Sequence, residues 1–410
     1  MRNEETPLAR AIAAHQAGRL EEAQAGYEQA LRERPDDPDV LHFFGLLHFH
    51  REDNDKALEL IERSLVQAPD NPHAWNNLGN ILHLWDRPRE AQGAYRRVTE
   101  LAPAMAEPWY NLAVLLRDEG KFADAVHHFR EAIRRQPDLS RAYESLGMLH
   151  YRLGQIAYAA EVYRMWAARE PDSPVARHMA AATSGLDVPE RADDRYVARL
   201  FDKHAHHFDS NLKQLGYRAP ELVTSALAQH SPGSGSLDIL DAGCGTGLCG
   251  PLLQPLRRRL VGVDLSARML ELARERGGYD DLVVGELCAF MRSHEAQFDA
   301  VVSADTLVYF GALEEACAAA HQTLRAGGLL VYTLEALLDE GTDDYRLQVH
   351  GRYAHRETYA RRALEQAGFS VLQVGREALR RERMQDVIGH LIVARRLQPD
   401  DSSIALSSGA

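Results

Sequence analysis

Along the first 185 residues the apolar positions repeat every 34 residues. Alanine recurs at Ala23, Ala57, Ala91, Ala125 and Ala159, and proline at Pro35, Pro69, Pro103, Pro137 and Pro171. A large apolar side chain keeps step at Tyr27, Ile61, Tyr95, Phe129 and Tyr163. Trp75, Trp109 and Tyr143 precede these positions, and Leu78-Gly79 and Leu146-Gly147 follow two of them. A small residue at one fixed place lets two helices approach closely, and proline ends a helix where no donor is lost. The pattern predicts five helix pairs over residues 4–171 and a capping helix over Pro174–Ser184. Asp187–Asp194 then reads as a polar linker, and Arg195–Leu215 as helix from the spacing of Tyr196, Leu200, Phe201, Ala205, Phe208 and Leu212.

From Leu237 the pattern changes period. Short apolar runs predict strands at 237–241, 259–263, 282–285, 299–303, 328–333, 369–374 and 387–394, with helical stretches between most of them. Alternation of this kind argues a doubly wound, largely parallel sheet. The expected domains are 1–185, a helical superhelix; 186–236, linker and lid helices; 237–396, an α/β domain; and 397–410, a disordered tail.

The N-terminal pattern resembles the tetratricopeptide repeat in period and in its Trp/Leu-Gly/Tyr/Ala/Phe/Pro sequence. Stacked pairs make a superhelix whose concave groove holds a peptide or partner protein. The resemblance implies a groove lined by the first helix of each pair, where His42, Asn76, Asn77, Asn80, Asn111, Arg117 and Arg141 fall. Asparagines there can hydrogen-bond an extended backbone, and Asn77, Asn111 and Arg141 loosely resemble the family's carboxylate-binding set. The competing reading is a solvated face in an assembly module. His48 and His150 fall at core-facing places, so packing explains them better than metal binding.

Charge and composition narrow the function. A formal net charge of −13 over 410 residues argues against a dedicated nucleic-acid binder. No signal-peptide pattern opens the chain and no apolar run reaches about 18 residues, so the expectation is a cytoplasmic protein without a membrane span. The four cysteines, Cys244, Cys249, Cys288 and Cys317, match no zinc spacing, and the Lys203–His207 histidine run lacks a completing carboxylate or cysteine. No metal site is expected.

The chemistry centres on Leu237-Asp-Ile-Leu-Asp-Ala-Gly-Cys-Gly-Thr-Gly247. Gly243, Gly245 and Gly247 permit a tight turn and close approach to a ligand. Asp264, at the end of the next strand, can accept both ribose hydroxyls of an adenosine. Gly245-Thr-Gly-Leu-Cys-Gly250 matches the dinucleotide fingerprint, so a nicotinamide cofactor competes. Asp241 decides against it, because an acid at that strand tip repels a pyrophosphate but suits an ammonium and a sulfonium, as in S-adenosyl-L-methionine.

These motifs, with Val261-Gly-Val-Asp-Leu-Ser-Ala-Arg-Met-Leu270, Phe298-Asp-Ala-Val-Val-Ser-Ala-Asp-Thr-Leu307 and Leu324-Arg-Ala-Gly-Gly-Leu-Leu330, resemble class I S-adenosylmethionine-dependent methyltransferases over residues 195–396. The resemblance implies a Rossmann-like seven-stranded sheet with one antiparallel edge hairpin. It places Asp241, Gly243 and Gly245 at the methionine part, Asp264 at the ribose, and Ser266, Met269 and Glu286 at the adenine, with Gly247 and Leu287 also among the cofactor-binding residues. Asp305 would face the methyl group and substrate, and Phe201–Asp209 would form a lid. The chain lacks the Asn/Asp-Pro-Pro-Tyr motif of nucleic-acid and glutamine amino-methyltransferases, which weakens both of those assignments.

If a base is needed, Asp305, Tyr309, His350, Tyr353 and His355 are the candidates. Three functions remain open at this level: a methyltransferase whose repeats recruit a protein or peptide, a small-molecule methyltransferase whose repeats mediate assembly, and a non-catalytic cofactor-binding adaptor. The methylated atom and the oligomeric state are not legible.

Overall fold

The structure is a computed structural model that describes residues 6–231, 233, 235–382 and 385–398. It divides into two compact units, Met1–Arg169 and Glu170–Ala410. The tail expected over 397–410 lies outside the described residues from 399 onward.

The described residues of the first unit form ten helices in five pairs. They are Pro7–Gln16 with Leu20–Glu33 (α1, α2), Pro38–His50 with Asn54–Gln67 (α3, α4), Pro72–Leu84 with Pro88–Leu101 (α5, α6), Ala106–Asp118 with Phe122–Arg135 (α7, α8), and Ser140–Arg152 with Ile156–Arg169 (α9, α10). Each phased proline falls two residues beyond the second helix of its pair. Asp37 and Asn71 cap α3 and α5 by accepting from two backbone N–H groups each, and a proline follows at the first helical position. The phased alanines are fully buried, as are Tyr27, Ile61 and Phe129. Gly79 and Gly147 are needed for that packing: a Cβ on either would stand 2.5 Å from the ring of Tyr95 or Tyr163.

The second unit begins at Glu170, sixteen residues before the expected boundary at 185/186. Helix α11 (Pro174–Ser184), expected to cap the repeats, packs within this unit. Its Ala181 and Ala182 cluster with Leu347 and Tyr353, and its His178 donates to the Gly351 carbonyl at 2.8 Å. The stretch expected as a linker is also docked: Gly311 and Ala312 donate to the Glu190 carbonyl at 2.7 and 2.8 Å, and Ala192 donates to the Tyr309 carbonyl at 2.8 Å. The predicted helix 195–215 is broken into α12 (Asp194–His204), a single 3-10 turn and α13 (Phe208–Gln214), before α14 (Ala219–His230).

The sheet contains the seven expected strands: β1 (Leu237–Ala242), β2 (Arg257–Asp264), β3 (Asp281–Val284), β4 (Phe298–Ser303), β5 (Leu324–Ala336), β8 (Phe369–Glu382) and β9 (Gln385–Arg396). Two short strands, β6 (Tyr345–Leu347) and β7 (Tyr353–His355), join them, β7 pairing with β5 at Glu335 and Ala336, beyond the last residue that β5 pairs with β4. The order β3-β2-β1-β4-β5 is parallel, and β9 is antiparallel to both β5 and β8. Successive strand residues serve opposite faces. Leu240, Val261 and Val301 pack with α17 (Leu287–Ser293), α18 (Glu314–Thr323) and α19 (Glu357–Gln366), while Ile239, Leu260 and Ala300 pack with α14 and α15 (Cys249–Leu253). Between β2 and β3 runs α16 (Ala267–Arg276). Covering both faces explains the continuous apolar runs seen in the sequence.

Candidate active site

A cavity of about 340 Å³ opens at the carboxyl ends of β1, β2 and β4, where open α/β sheets place ligands. At one end lies the glycine loop. Gly245, at φ 54°, has nothing within 4 Å of where a Cβ would stand, so the backbone faces open space. Gly243, at φ 79°, is closed in by Thr306. Asp264 bridges loop and helix: its Oδ2 accepts from Gly245 N and its Oδ1 from Ser266 N, each at 2.9 Å. Burial raises its pKa, against the pull of those backbone donors.

The roof is the broken helix. Val197, Leu200, Phe201, Phe208 and Leu212 turn apolar side chains to the cavity. Polar ties fasten its other side: Ser266 Oγ donates to Asp202 at 2.5 Å, Thr246 Oγ1 donates to Asp209 at 2.6 Å, and Arg276 pairs with Asp209. Phe201 meets Tyr309 edge-on with centroids 5.6 Å apart.

At the far end stands a buried ion cluster. Arg380, 3% exposed, donates to Asp305 Oδ2 and Glu382 Oε1, both at 2.7 Å, and pairs with Glu335. Arg352 donates to Glu335 at 2.6 Å and to Glu382 at 2.7 Å. Asp305 is held at φ 58°, a left-handed conformation, with its N–H donating to Thr333 Oγ1 at 2.9 Å. Burial raises the Asp305 pKa, opposed by Arg380. Glu382 is half-buried, but Arg352 and Arg380 outweigh that and draw its pKa down to about 2.

A family model described as a methyltransferase domain matches residues 240–332, and tetratricopeptide-repeat models match 14–81, 86–125 and 110–174. The chain carries tetratricopeptide repeats and a methyltransferase domain. Among curated relatives, human methyltransferase-like protein 27 is 40% identical over 109 residues, covering 25% of this chain and 43% of that protein. The malonyl-[acyl-carrier protein] O-methyltransferase of Yersinia pestis is 29% identical over 157 residues, covering 37% of this chain and 55% of that protein. The chain therefore spans about half the length of the curated relatives it matches, or less. A crystal structure of MamA aligns with 40% of this chain and 95% of its own at 20% identity and a TM-score of 0.37.

Of the residues singled out in the sequence, Gly243, Gly245, Asp264, Glu286, Leu287, Asp305 and Tyr309 line the methyltransferase cavity. Others do not. Asp241 is wholly buried beneath the loop, and its Oδ2 accepts from the Tyr279 hydroxyl at 2.6 Å. Gly247 abuts Tyr279 and Ala273, Ser266 caps α16 by accepting from Met269 N at 3.1 Å, and Met269 is core. Glu286, though at the cavity wall, caps α17 through Cys288 N and Ala289 N at 2.9 and 2.7 Å and pairs with Arg191 at 3.2 Å.

The histidine candidates lie off the cavity. His355 is fully buried, donating to the Gly311 carbonyl at 3.1 Å, and His350 sits 3.4 Å from Glu335; burial draws both pKa values down to about 4. Tyr353 is buried with its hydroxyl donating to the Pro189 carbonyl at 2.6 Å. Tyr309 lines the cavity, and burial pushes its pKa up to about 12. Among the described residues no group of three or more His, Cys, Asp or Glu is placed to hold a metal ion.

Arg352, Arg380, Glu335 and Glu382 were not legible as site residues. Glu335 ends an apolar strand, which is a weak signal. Arg380 sits in a polar run that reads as solvent-facing. A register irregularity between Ala378 and Arg380 leaves Leu379 and Arg380 both buried, where a regular strand would turn one outward.

In the repeats, the polar side chains expected to meet a peptide are largely paired with one another. Asn77 donates to His42 at 2.8 Å, and Asn111 donates to Asn80 at 3.1 Å while Tyr95 donates to the same oxygen at 2.8 Å. Arg141 pairs with Glu107 and lies over the Tyr110 ring at 4.7 Å, and Arg117 donates to Asp118 at 2.8 Å. Asn76 keeps a buried carbonyl oxygen without a partner among the described residues. No described helix is long and apolar enough to cross a membrane.

Proposed function

We propose that the methyltransferase domain takes S-adenosyl-L-methionine as methyl donor and that the repeats bring a protein or peptide to it. The observation that carries this reading is one cavity lined by an open glycine loop, an adenosine-type carboxylate, an apolar roof and a charged far end. The residues fit the group. Gly245 offers open backbone space to its amino-acid part, and Asp264, each of whose oxygens accepts one backbone N–H, keeps lone pairs for two ribose hydroxyls. When bound, the cofactor supplies an electrophilic methyl group with a neutral thioether as leaving group. What the chain must add is alignment and exclusion of water. Leu200, Phe201, Phe208 and Leu212 supply the dry wall, and Asp305 and Tyr309 supply polar groups at the end where a substrate would enter.

Calorimetric titration of the full chain tests this. S-adenosylmethionine should bind at one site, Asp264→Ala should weaken it at least tenfold, and NAD should give no heat. Binding of NAD in its place, or of neither ligand, would overturn the proposal.

One observation favours a second reading. The His42–Asn77 and Asn80–Asn111 pairs occupy groups a peptide would need, which suits repeats used for assembly and a small-molecule substrate. The size of the methylated product separates the two readings.

A further inference from the structure

The far end of the cavity carries an uneven set of charges. Asp305, Glu335 and Glu382 face Arg352 and Arg380, and His350, whose pKa burial draws down to about 4, adds no charge at neutral pH. One carboxylate charge is left over. All three guanidinium nitrogens of Arg380 are engaged by carboxylates, so it has no free edge for an anion. Arg352 is already shared between Glu335 and Glu382. Asp305 is the reverse case: Arg380 holds its Oδ2, while its Oδ1 is enclosed and has no hydrogen-bond partner among the described residues. Buried acceptors are normally satisfied, and one left open on a strained residue beside a cavity marks a place a ligand completes. The residue is held in that state by a left-handed φ of 58° and by Thr333. Tyr309, Phe201 and Tyr217 surround the same end with aromatic surface, which favours a cation over an anion.

We propose that this end of the cavity takes a protonated amine, which donates to Asp305 Oδ1, and that Asp305 accepts the proton that must leave before the nitrogen can act as a nucleophile. This rests on the methyl-transfer reading of the same cavity. The step is balanced within the chain: an N–H bond breaks, its electron pair stays on nitrogen as the lone pair, and the proton ends on Asp305 as a neutral carboxylic acid. After the transfer Glu335 and Glu382 stand balanced against Arg352 and Arg380, so the neutral amine and neutral Asp305 leave no unpaired charge in the cluster. A carboxylate substrate would instead double the surplus negative charge.

The test uses the full chain saturated with S-adenosylhomocysteine, whose binding is first established by calorimetry. Saturation-transfer NMR is then recorded with butylammonium and with butyrate. Butylammonium should give a signal and butyrate none, and Asp305→Asn should weaken butylammonium at least tenfold. A signal from butyrate instead, or none from butylammonium on the saturated protein, overturns the amine proposal and leaves the methyl-donor reading standing. Failure of S-adenosylhomocysteine to bind overturns the methyl-donor reading and the amine proposal with it. Should Asp305→Asn not fold, the wild-type preference between the two probes still decides. A second readout is the linkage formed with labelled S-adenosylmethionine in extract: label stable to alkali and recovered as N-methylamine supports the proposal, whereas label released as methanol marks a carboxyl ester and contradicts it.

Discussion

Asp241 shows what a residue's position in a motif reveals and what it hides. Its place at the tip of β1 was legible, and so was the loop that follows. Its burial under Tyr279 was not, because the partner comes from a segment 38 residues away. The consequence is measurable. Burial, partly offset by the Tyr279 hydroxyl, raises Asp241 from its ordinary 3.8 to about 7. The folded state therefore holds this proton more tightly than the unfolded chain does. The stability contributed is complete below the unfolded value and is lost as pH rises through 7. Asn at this position keeps an acceptor for Tyr279 without the charge. The melting temperature of Asp241→Asn should gain on the wild type between about pH 5 and about pH 8 in ligand-free protein, read by thermal unfolding. Arg380 gives the opposite case, a buried cation whose removal leaves Asp305 without a cation and Glu335 and Glu382 to share Arg352 alone. Arg380→Met should cost about 3–5 kcal/mol in urea unfolding. A cost under about 1 kcal/mol would show that the cluster is not an integrated unit.

Elements were read more securely than residues where their period was strong. The repeat helices followed from alanines, glycines and prolines phased at one spacing, because those residues answer a packing need that recurs identically. Gly147 illustrates it: Gly147→Val should drive a side chain into Tyr163 and destabilise the chain by about 1–3 kcal/mol in denaturant unfolding. The seven main strands were read from short apolar runs, which β1, β4 and the later part of β5 bury on both faces, while β3 and most of β8 stay exposed or half-exposed. Strands β6 and β7, three residues each, carry too few positions for a period to show. The irregularity in β8 was hidden for a related reason, since its Arg- and Glu-rich stretch gives no sign that Arg380 turns inward. The roof was legible as amphipathic helix but not as a broken one. Its fastening at Asp209 rests on part-exposed pairs, so Asp209→Ala should change global stability by less than about 1 kcal/mol. The same change should speed release of bound S-adenosylhomocysteine severalfold in stopped-flow measurements.

At the scale of the whole molecule, the pattern along the chain announced two architectures and misplaced their boundary. Helix α11 was assigned to the repeats because it follows their register, yet Ala181, Ala182 and His178 pack on Leu347, Tyr353 and Gly351 of the methyltransferase unit. Contacts of this kind join residues more than 160 positions apart and leave no periodic trace. The useful division of the protein is therefore at Arg169/Glu170. A fragment of residues 170–410 should unfold cooperatively, while one of residues 186–410, stripped of α11, should melt lower or aggregate on heating.

The central claim is that this chain moves a methyl group from S-adenosylmethionine to a substrate its repeats deliver. The most direct measurement is transfer of labelled methyl into host-cell extract by the full chain, by the 170–410 fragment and by Asp264→Ala, with products separated by size. Label should enter a polypeptide with the full chain, fall sharply with the fragment and vanish with Asp264→Ala. Label confined to small molecules and undiminished in the fragment would contradict the role given to the repeats, and no transfer from a full chain that binds S-adenosylmethionine would contradict catalysis itself.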